Sequence, residues 1–502
     1  MNPHLRRALL VLLLLAGAAI RLYRLTDPPL DFHPTRQMHS ALIARQMYLK
    51  WRPGKITPAE VQARYLGYRM ARYEPPIFEA LVAKTCLWAG RRFGFHLWVA
   101  RLYDLLFWLL GAWGLYLLAR RLTDADAALA AVAYWMLLPF AIQASRSFQP
   151  DPLMTVLLVW AAWAALTWAE SPPRSRKRPL LLGLTVALGA AAGIVKAYGL
   201  VFAGGIFVAA AWMRYRGGFW RKPAFWGGLA GLAAPVVWVY FLMPRGAVGG
   251  GFLQTWTLRM LPLWLSPKLY GGWLQQMTAT MGGGFLLLAL FGLVLASPAG
   301  KALAAGWGAA YAAYGFLVPF HIATHSYYHL PLLPLVALGL AAAVKTLAPF
   351  VRTQPRMAQG VLALGLLAAA VYPLGISYWQ MKQCPCRQEA QTFTELGQVL
   401  PDDGAMIALT QAYGYPLMYY SNRAVDFWPT SRFQQVFNLS AEAFARLFAE
   451  RTRGHAYFLV TDFTEFARQK ALRHYLSTHY PVVREGQGFV LYDLRRPRKD
   501  AP

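Results

Sequence analysis

The chain has 502 residues, of which 57% are hydrophobic and only 14% charged, whereas a soluble globular protein is near a quarter charged. That balance excludes an ordinary soluble enzyme and points to a membrane protein. Lysine and arginine outnumber the acids 50 to 22, for a formal charge of +28; in a soluble protein this would suggest nucleic acid, but here the acids are scarce more than the bases are abundant, and no nucleic-acid partner is expected.

The N-terminus places Arg6 and Arg7 before an apolar run that ends in Ala16-Gly17-Ala18-Ala19. A signal peptide has this pattern, and so does an uncleaved first membrane helix, which the many later apolar segments favour. Eleven such segments, near residues 8-25, 98-119, 125-146, 152-169, 179-195, 197-213, 223-243, 283-298, 302-320, 331-347 and 357-378, are long enough to span a bilayer core of about 30 Å. Lys196 interrupts one continuous apolar stretch, as a tight hairpin or as a snorkelling side chain.

Basic residues in short loops favour the cytoplasmic side. Arg120/Arg121, Arg174 to Arg178, Arg214 to Lys222, Lys301 and Arg352/Arg356 then fall on one side if the N-terminus is inside and Lys196 marks a hairpin. The loop 26-97, the turn near Asp151, the loop 244-282, the His-rich turn 321-330 and the tail fall outside. Within the first loop, Ile77-Gly90 is apolar but too short to span, and suits a helix lying on the membrane face.

Residues 379-502 change composition, with 15 basic and 12 acidic side chains. Strand-like runs at Met406-Thr410, Tyr457-Thr461 and Phe489-Leu494 alternate with helical patterns around 440-452 and 463-478. The expected fold is therefore a polytopic α-helical membrane protein of about 11 transmembrane helices, residues 1-378 with the outer loop 26-97, followed by a small extracytoplasmic α/β domain, residues 379-502. Cys86 stands alone and Cys384-Pro385-Cys386 is too closely spaced for a zinc or thioredoxin motif, so all three cysteines read as structurally minor.

The acids restrict the chemistry: ten lie between Asp27 and Glu170, none from Ser171 to Gln388, and twelve from Glu389 onward. Four clusters stand out on the expected outer face. Asp31-Phe32-His33-Pro34-Thr35-Arg36 joins a carboxylate, an imidazole and a guanidinium, able to take a proton and hold a phosphate, although Asp31 could equally cap the helical run that follows. Arg72-Tyr73-Glu74-Pro75-Pro76 holds Glu74 on an extended backbone, or sets it in the first turn of the interfacial helix. Arg146-Ser147-Phe148-Gln149-Pro150-Asp151 is a short turn whose ordinary account is ion pairing or capping. His321, His325 and His329 recur at spacing four, yet no local carboxylate accompanies them, and phosphate binding or stacking of a sugar suits them better than zinc. Asp104 lies in the second span near Arg101, its i,i+3 neighbour.

In this order the clusters resemble the GT-C glycosyltransferases that use polyprenyl-phosphate sugars, and within them the protein O-mannosyltransferase and aminoarabinose transferase branch. The likeness covers roughly residues 5-380 and rests on Asp31 after the first span, Glu74 beside Pro75-Pro76, the Arg-x-x-Gln-Pro-Asp turn from Arg146 to Asp151, and His325-Ser326-Tyr327-Tyr328-His329-Leu330-Pro331 followed by Pro334. It implies a catalytic role for Asp31 as general base, with Asp151 and Glu74 supporting it. Where the aminoarabinose branch has Glu-Lys before its Pro-Pro, this chain has Tyr73-Glu74, so the donor phosphate would fall to Arg36, Arg72, Arg146, Lys196 and His325. His33, Tyr327 and Tyr328 are candidate substrate contacts. Asp31, Glu74 and His33 are the candidate ligands of a divalent cation, should one assist.

The implied reaction is inverting transfer of a sugar from a polyprenyl-phosphate donor to a lipid, glycan or protein acceptor at the periplasmic face of a bacterial inner membrane. A lipid donor stays in the bilayer while a polar acceptor arrives from water, which puts the chemistry at the outer helix ends. The alternative is a transporter or flippase of a lipid-linked or anionic substrate, which predicts inverted repeats and mid-span polar residues. A scaffold acting through the tail would need no acid cluster at all.

Overall fold

The computed structural model describes residues 1–90, 92–243, 251–436 and 444–498. The chain packs as two compact units, one of Met1–Leu25, Ala71–Phe78 and Trp98–Gln383, the other of Thr26–Met70, Glu79–Leu97 and Cys384–Pro502. This division differs from the expected boundary at residue 378, because most of the loop 26-97 packs with the tail.

The first unit is helical, and each of the eleven expected apolar segments forms helix in it: Pro3–Leu22, Trp98–Leu122, Ala128–Leu137 with Pro139–Ala144, Asp151–Glu170, Arg178–Val195, Gly199–Tyr215, Pro223–Val237, Gly283–Val294, Pro298–Leu317, Leu333–Thr353 and Arg356–Gln383. Among the described residues, six helices are long and apolar enough to cross a membrane, or seven if Pro267–Met281 and Gly283–Val294, bent by 91°, form one span. Two of the other segments fall short for local reasons. Pro139 interrupts the third, since its ring removes a backbone donor, and Gly199–Tyr215 has only 17 residues. Lys196 does mark a hairpin, between Val195 and Gly199. Small residues bring helices close: Gly205 lies directly against the Gly306 backbone, where a β-carbon would not fit.

Ion pairs define one end of this unit. The N-terminal amine and Arg6 meet Asp126 at 2.8 and 3.3 Å, and Lys345 meets Asp124 at 2.7 Å. The start of the first helix and the turn after the second thus share a side, in keeping with the pattern of basic loops. At the other end of the first helix, arginines satisfy its terminal carbonyls. Arg101 donates to the carbonyls of Arg24 and Leu25 at 3.3 and 3.1 Å, and Arg146 to those of Tyr23 and Arg24 at 3.0 and 3.3 Å. Arg24 in turn donates to the carbonyls of Met381 and Lys382 at 2.8 and 2.9 Å.

The second unit is built on a five-stranded sheet: β1 (Met406–Leu409), β2 (Val425–Phe427), β3 (Tyr457–Val460), β4 (Val482–Gly486) and β5 (Phe489–Asp493), in the order β2-β1-β3-β5-β4. β2, β1 and β3 run parallel, and β5 and β4 complete the sheet antiparallel. β1 and β3 are buried throughout, as parallel strands covered on both faces must be. Ile407 and Leu409 pack with Trp428, Phe448, Phe458 and Leu476 on one face. On the other, Met406 and Ala408 pack with Phe393, Leu417 and Leu459 and, from the N-terminal loop, with Leu42, Ile43, Leu66 and Met70. The loop residues come from two helices, Pro34–Trp51 and Pro58–Tyr68.

Expected strands β1, β3 and β5 are present, and β2 and β4 were not anticipated. The helical pattern 463-478 is broken at Gln469 into Phe463–Arg468 and Lys470–His479. Of the pattern 440-452, Phe444–Thr452 is helix and 440-443 lies outside the described residues. The segment Ile77-Gly90 forms a helix over Ile77–Trp88. Cys384 and Cys386 are disulfide-bonded, correcting their reading as minor; the turn at Pro385 sets their Cα atoms 5.2 Å apart, within the usual bridging distance.

Helix Pro58–Tyr68 opens on a capping box in which Thr57 Oγ1 accepts from the Glu60 backbone and Glu60 accepts from the Thr57 backbone, while Arg52 Nη1 meets Glu60 Oε1 at 2.8 Å. The Arg52 hydrogen bond, followed by that of the Thr57 backbone, lowers the Glu60 carboxyl to about 2. A carboxyl whose folded pKa is lowered stabilises the fold above its unfolded value of about 4.3, and that contribution is lost as pH falls toward 2. Glu60→Gln should therefore cost about 1 kcal/mol at pH 7 and nothing near pH 2. Thermal unfolding of wild type and variant across pH 7 to 2 checks this; a gap that does not close on acidification would refute it.

Candidate active site

Asp151 is the first residue of helix Asp151–Glu170 and Lys196 ends helix Arg178–Val195. Their side chains are 1% and 4% exposed, and Lys196 Nζ meets Asp151 Oδ1 at 2.6 Å. Two charges withdrawn from water this far persist only when paired. The ammonium also lies over the rings of Tyr327 and Tyr328, at 5.2 and 5.1 Å from their centroids, which adds a cation–π attraction on a second side.

Aromatic groups continue outward from that cation. Tyr328 stacks on His321 at 4.8 Å and on Tyr314 at 5.9 Å. His321 stacks on Phe252 at 5.5 Å, meets Trp256 edge-on at 4.8 Å and lies 5.1 Å from His325. Phe252 in turn meets Tyr73 at 6.2 Å. The wall is lined by π faces and histidine edges, a surface on which a sugar ring or an isoprenoid can lie, with a fixed positive charge at its base. Tyr198 joins the wall 5.1 Å from Tyr314; Tyr198, Tyr314, Phe252 and Trp256 were not anticipated from the sequence, and only the place of Tyr198, two residues after Lys196, was a hint.

The histidines have separate environments. His329 is wholly buried, its Nδ1 at 2.7 Å from the Tyr311 hydroxyl and its Nε2 at 2.9 Å from the Ile322 carbonyl, so it is a fully bonded core group. His325 precedes a short turn of helix, Ser326–Leu332, and its Nδ1 pairs with Thr324 Oγ1 at 2.7 Å. The prolines of this segment keep the three histidines off one continuous helix.

Other expected contacts are placed differently. Arg146 is buried with its guanidinium on the carbonyls of Tyr23 and Arg24, just past the end of the first helix. Arg101 likewise donates to the carbonyls of Arg24 and Leu25, and Asp104, completely buried, has no hydrogen-bond partner among the described residues. Arg72 and Glu74 are half-buried in the segment leading into helix Ile77–Trp88.

Asp31, His33 and Arg36 belong to the second unit. Asp31 is half-buried, and its Oδ1 accepts from Gln37 Nε2 at 3.4 Å. Asp31 is not the helix cap: that position is held by His33, at φ 45° and without a side-chain capping bond. A non-glycine residue held in the left-handed region is strained and fixes the direction of the chain. Arg36 is half-buried in the first turn of the helix. Among the described residues no three His, Cys, Asp or Glu side chains converge on a point that could hold a metal ion.

Comparisons with known proteins agree with this architecture. Residues 79–241 match the family model of the dolichyl-phosphate-mannose-protein mannosyltransferases. The structure of ArnT from Cupriavidus metallidurans bound to undecaprenyl phosphate is similar over 96% of this chain and 97% of that one, at 16% identity and a TM-score of 0.57; its apo form gives 17% identity and 0.56. The Archaeoglobus fulgidus oligosaccharyltransferase AglB, in complex with an inhibitory peptide and a dolichol-phosphate, is similar over 99% of this chain and 75% of that one, at 13% identity and a TM-score of 0.53. No curated protein matches by sequence. The chain has the GT-C membrane fold shared with ArnT and AglB, with the mannosyltransferase family signature across residues 79–241.

Proposed function

We propose that the protein is a membrane glycosyltransferase that moves a sugar from a polyprenyl-phosphate donor to an acceptor at the outer face of a bacterial inner membrane, with inversion at the anomeric carbon. The observation that carries this reading is fold likeness along nearly the whole chain to a protein solved with undecaprenyl phosphate. The buried Lys196 beneath an aromatic wall agrees with it chemically.

In the proposed reaction Asp31 takes the proton of the acceptor hydroxyl, whose oxygen attacks the anomeric carbon as the bond to phosphate breaks. The electron pair leaves with the polyprenyl phosphate. Lys196, His325, Arg36 and Arg72 are the groups proposed to meet its charge, and Asp151 acts by holding Lys196. Glu74, His33, Tyr327 and Tyr328 are proposed to position the substrates. A phosphate is already a good leaving group, so no dedicated acid is required, in keeping with a chain poor in carboxylates. The outer orientation is supported by the basic loops and by the Cys384–Cys386 bridge at the head of the tail, since disulfides persist in oxidising compartments.

The test is transfer itself. Purified full-length protein is added to membranes from cells lacking the gene, together with undecaprenyl phosphate carrying a radiolabelled sugar. Label should leave the donor and enter an acceptor fraction, releasing undecaprenyl phosphate in equal amount. Retention of all label on the donor across hexose and pentose donors would sink the proposal.

A further inference from the structure

Around Asp151 there are more buried polar atoms than the ion pair uses. Asp104 lies about two turns into helix Trp98–Leu122 and is 0% exposed. Both of its carboxylate oxygens lack a hydrogen-bond partner among the described residues, as does Asp151 Oδ2. Helix Trp98–Leu122, which carries Asp104, packs closely on helix Asp151–Glu170, with Gly111 against Val156 and Gly114 against Trp160, and Asp104 lies within electrostatic reach of Asp151. Gln149, two residues before Asp151 and also 0% exposed, leaves both its amide oxygen and its amide nitrogen without a partner. Each such group is costly to retain within a packed interior, and more so within a membrane. Packing does not need them, because an apolar residue of similar size fills the same volume.

The orphan set has a definite character. Asp104 Oδ1 and Oδ2, Asp151 Oδ2 and Gln149 Oε1 accept hydrogen bonds and only Gln149 Nε2 donates. Across Asp151, Lys196 leads to the rings of Tyr327 and Tyr328. Acceptors beside aromatic faces match a ligand that presents several hydroxyl donors on one edge and C–H groups on its face, which is a sugar ring with free hydroxyls. An N-acetylated sugar replaces one hydroxyl by a bulkier acetamido group, whose N–H still donates but whose carbonyl needs a donor, and this set has a single one, Gln149 Nε2.

We infer that Asp104 and Gln149, with the free oxygen of Asp151, form the subsite that recognises the hydroxyls of the transferred sugar and selects a fully hydroxylated hexose or pentose. This inference rests on the proposed glycosyl transfer and specifies its substrate class. Asp104 and Gln149 are then specificity-determining residues whose unsatisfied hydrogen-bonding capacity is held against the preference of the fold.

Asp104→Asn and Gln149→Met in the full-length protein test it through binding and stability together. The probes are undecaprenyl phosphate alone, undecaprenyl-phosphate-mannose and undecaprenyl-phosphate-N-acetylglucosamine. Each variant should bind the mannose donor at least about tenfold more weakly while holding undecaprenyl phosphate as wild type does, and wild type should prefer mannose to N-acetylglucosamine. Each should also unfold at an unchanged or higher temperature, because a buried unsatisfied group has been neutralised or removed. Equal weakening for the sugar-free lipid, a lowered unfolding temperature in both variants, or unchanged mannose binding would overturn the inference. Failure of wild type to bind undecaprenyl phosphate at all would instead overturn the glycosyltransferase reading on which it depends.

Discussion

Lys196→Met should unfold the helical unit at a temperature lower by about 5–8 °C, which corresponds to about 3–5 kcal/mol for a unit of this size. The substitution keeps the stem of the side chain and removes the ammonium, which leaves Asp151 ionised and buried with nothing opposite Oδ1. The pair itself is a weak source of stability, because desolvating both ions offsets most of their attraction. The double variant Lys196→Met/Asp151→Leu should accordingly recover most of the lost stability, and it should remain inactive. Thermal unfolding in detergent, followed by tryptophan fluorescence, separates the two. A single variant as stable as wild type would mean that Asp151 is not buried as described. A pair that can be replaced without loss of stability, yet is present at the base of an aromatic wall, is retained for what its charge does.

The second large effect concerns rate. Asp31→Asn keeps the shape of the side chain and its acceptor for Gln37, but removes the basic oxygen. Transfer should fall about 10²–10⁴-fold, the usual contribution of a positioned base, with donor binding and unfolding temperature unchanged. Single-turnover transfer measured at saturating donor is the suitable readout. Full activity in this variant would exclude Asp31 as the base and turn attention to Glu74 or Asp151.

Much of the fold is legible in the sequence because the membrane imposes a crude rule: a long apolar run must close its own hydrogen bonds, and helix is the local way to do so. The hairpin at Lys196 follows from the same rule combined with the placement of basic loops. Less legible is what depends on distant packing. Leu42, Ile43, Leu66 and Met70 look in sequence like the apolar face of an interfacial loop, and only the sheet explains their burial. Strand β2 has 3 residues and β4 is exposed throughout, so neither carries a periodic signal strong enough to detect. Within the candidate site the sequence identified Asp151, Lys196, Tyr327 and Tyr328 but not that they meet. Nor did it show that Arg146 donates to the carbonyls of Tyr23 and Arg24, because a guanidinium that binds carbonyls and one that meets a phosphate are identical in sequence. Asp104 and Gln149 stood out in the sequence, but not as groups without a partner, since a missing partner is a property of three dimensions.

The covering of β1 by Leu42, Ile43, Leu66 and Met70 also constrains the order of assembly. Residues 26–70 emerge during synthesis well before the strands they cover, Met406–Leu409 and Tyr457–Val460. The early segment must therefore wait, with apolar side chains uncovered, until every intervening helix has been made and threaded into the bilayer. Closing so long a loop costs little more entropy than closing a moderate one, and the inserted helices restrict how far its two ends can separate. The vulnerable interval is one of time: at about 5–20 residues per second the wait for residues 406–460 lasts tens of seconds, during which the N-terminal loop is open to proteases and to holding chaperones. Truncations that remove the tail should strand that loop permanently, and a loss of the whole protein from the membrane, rather than a loss of activity alone, is the expected fate of such a chain.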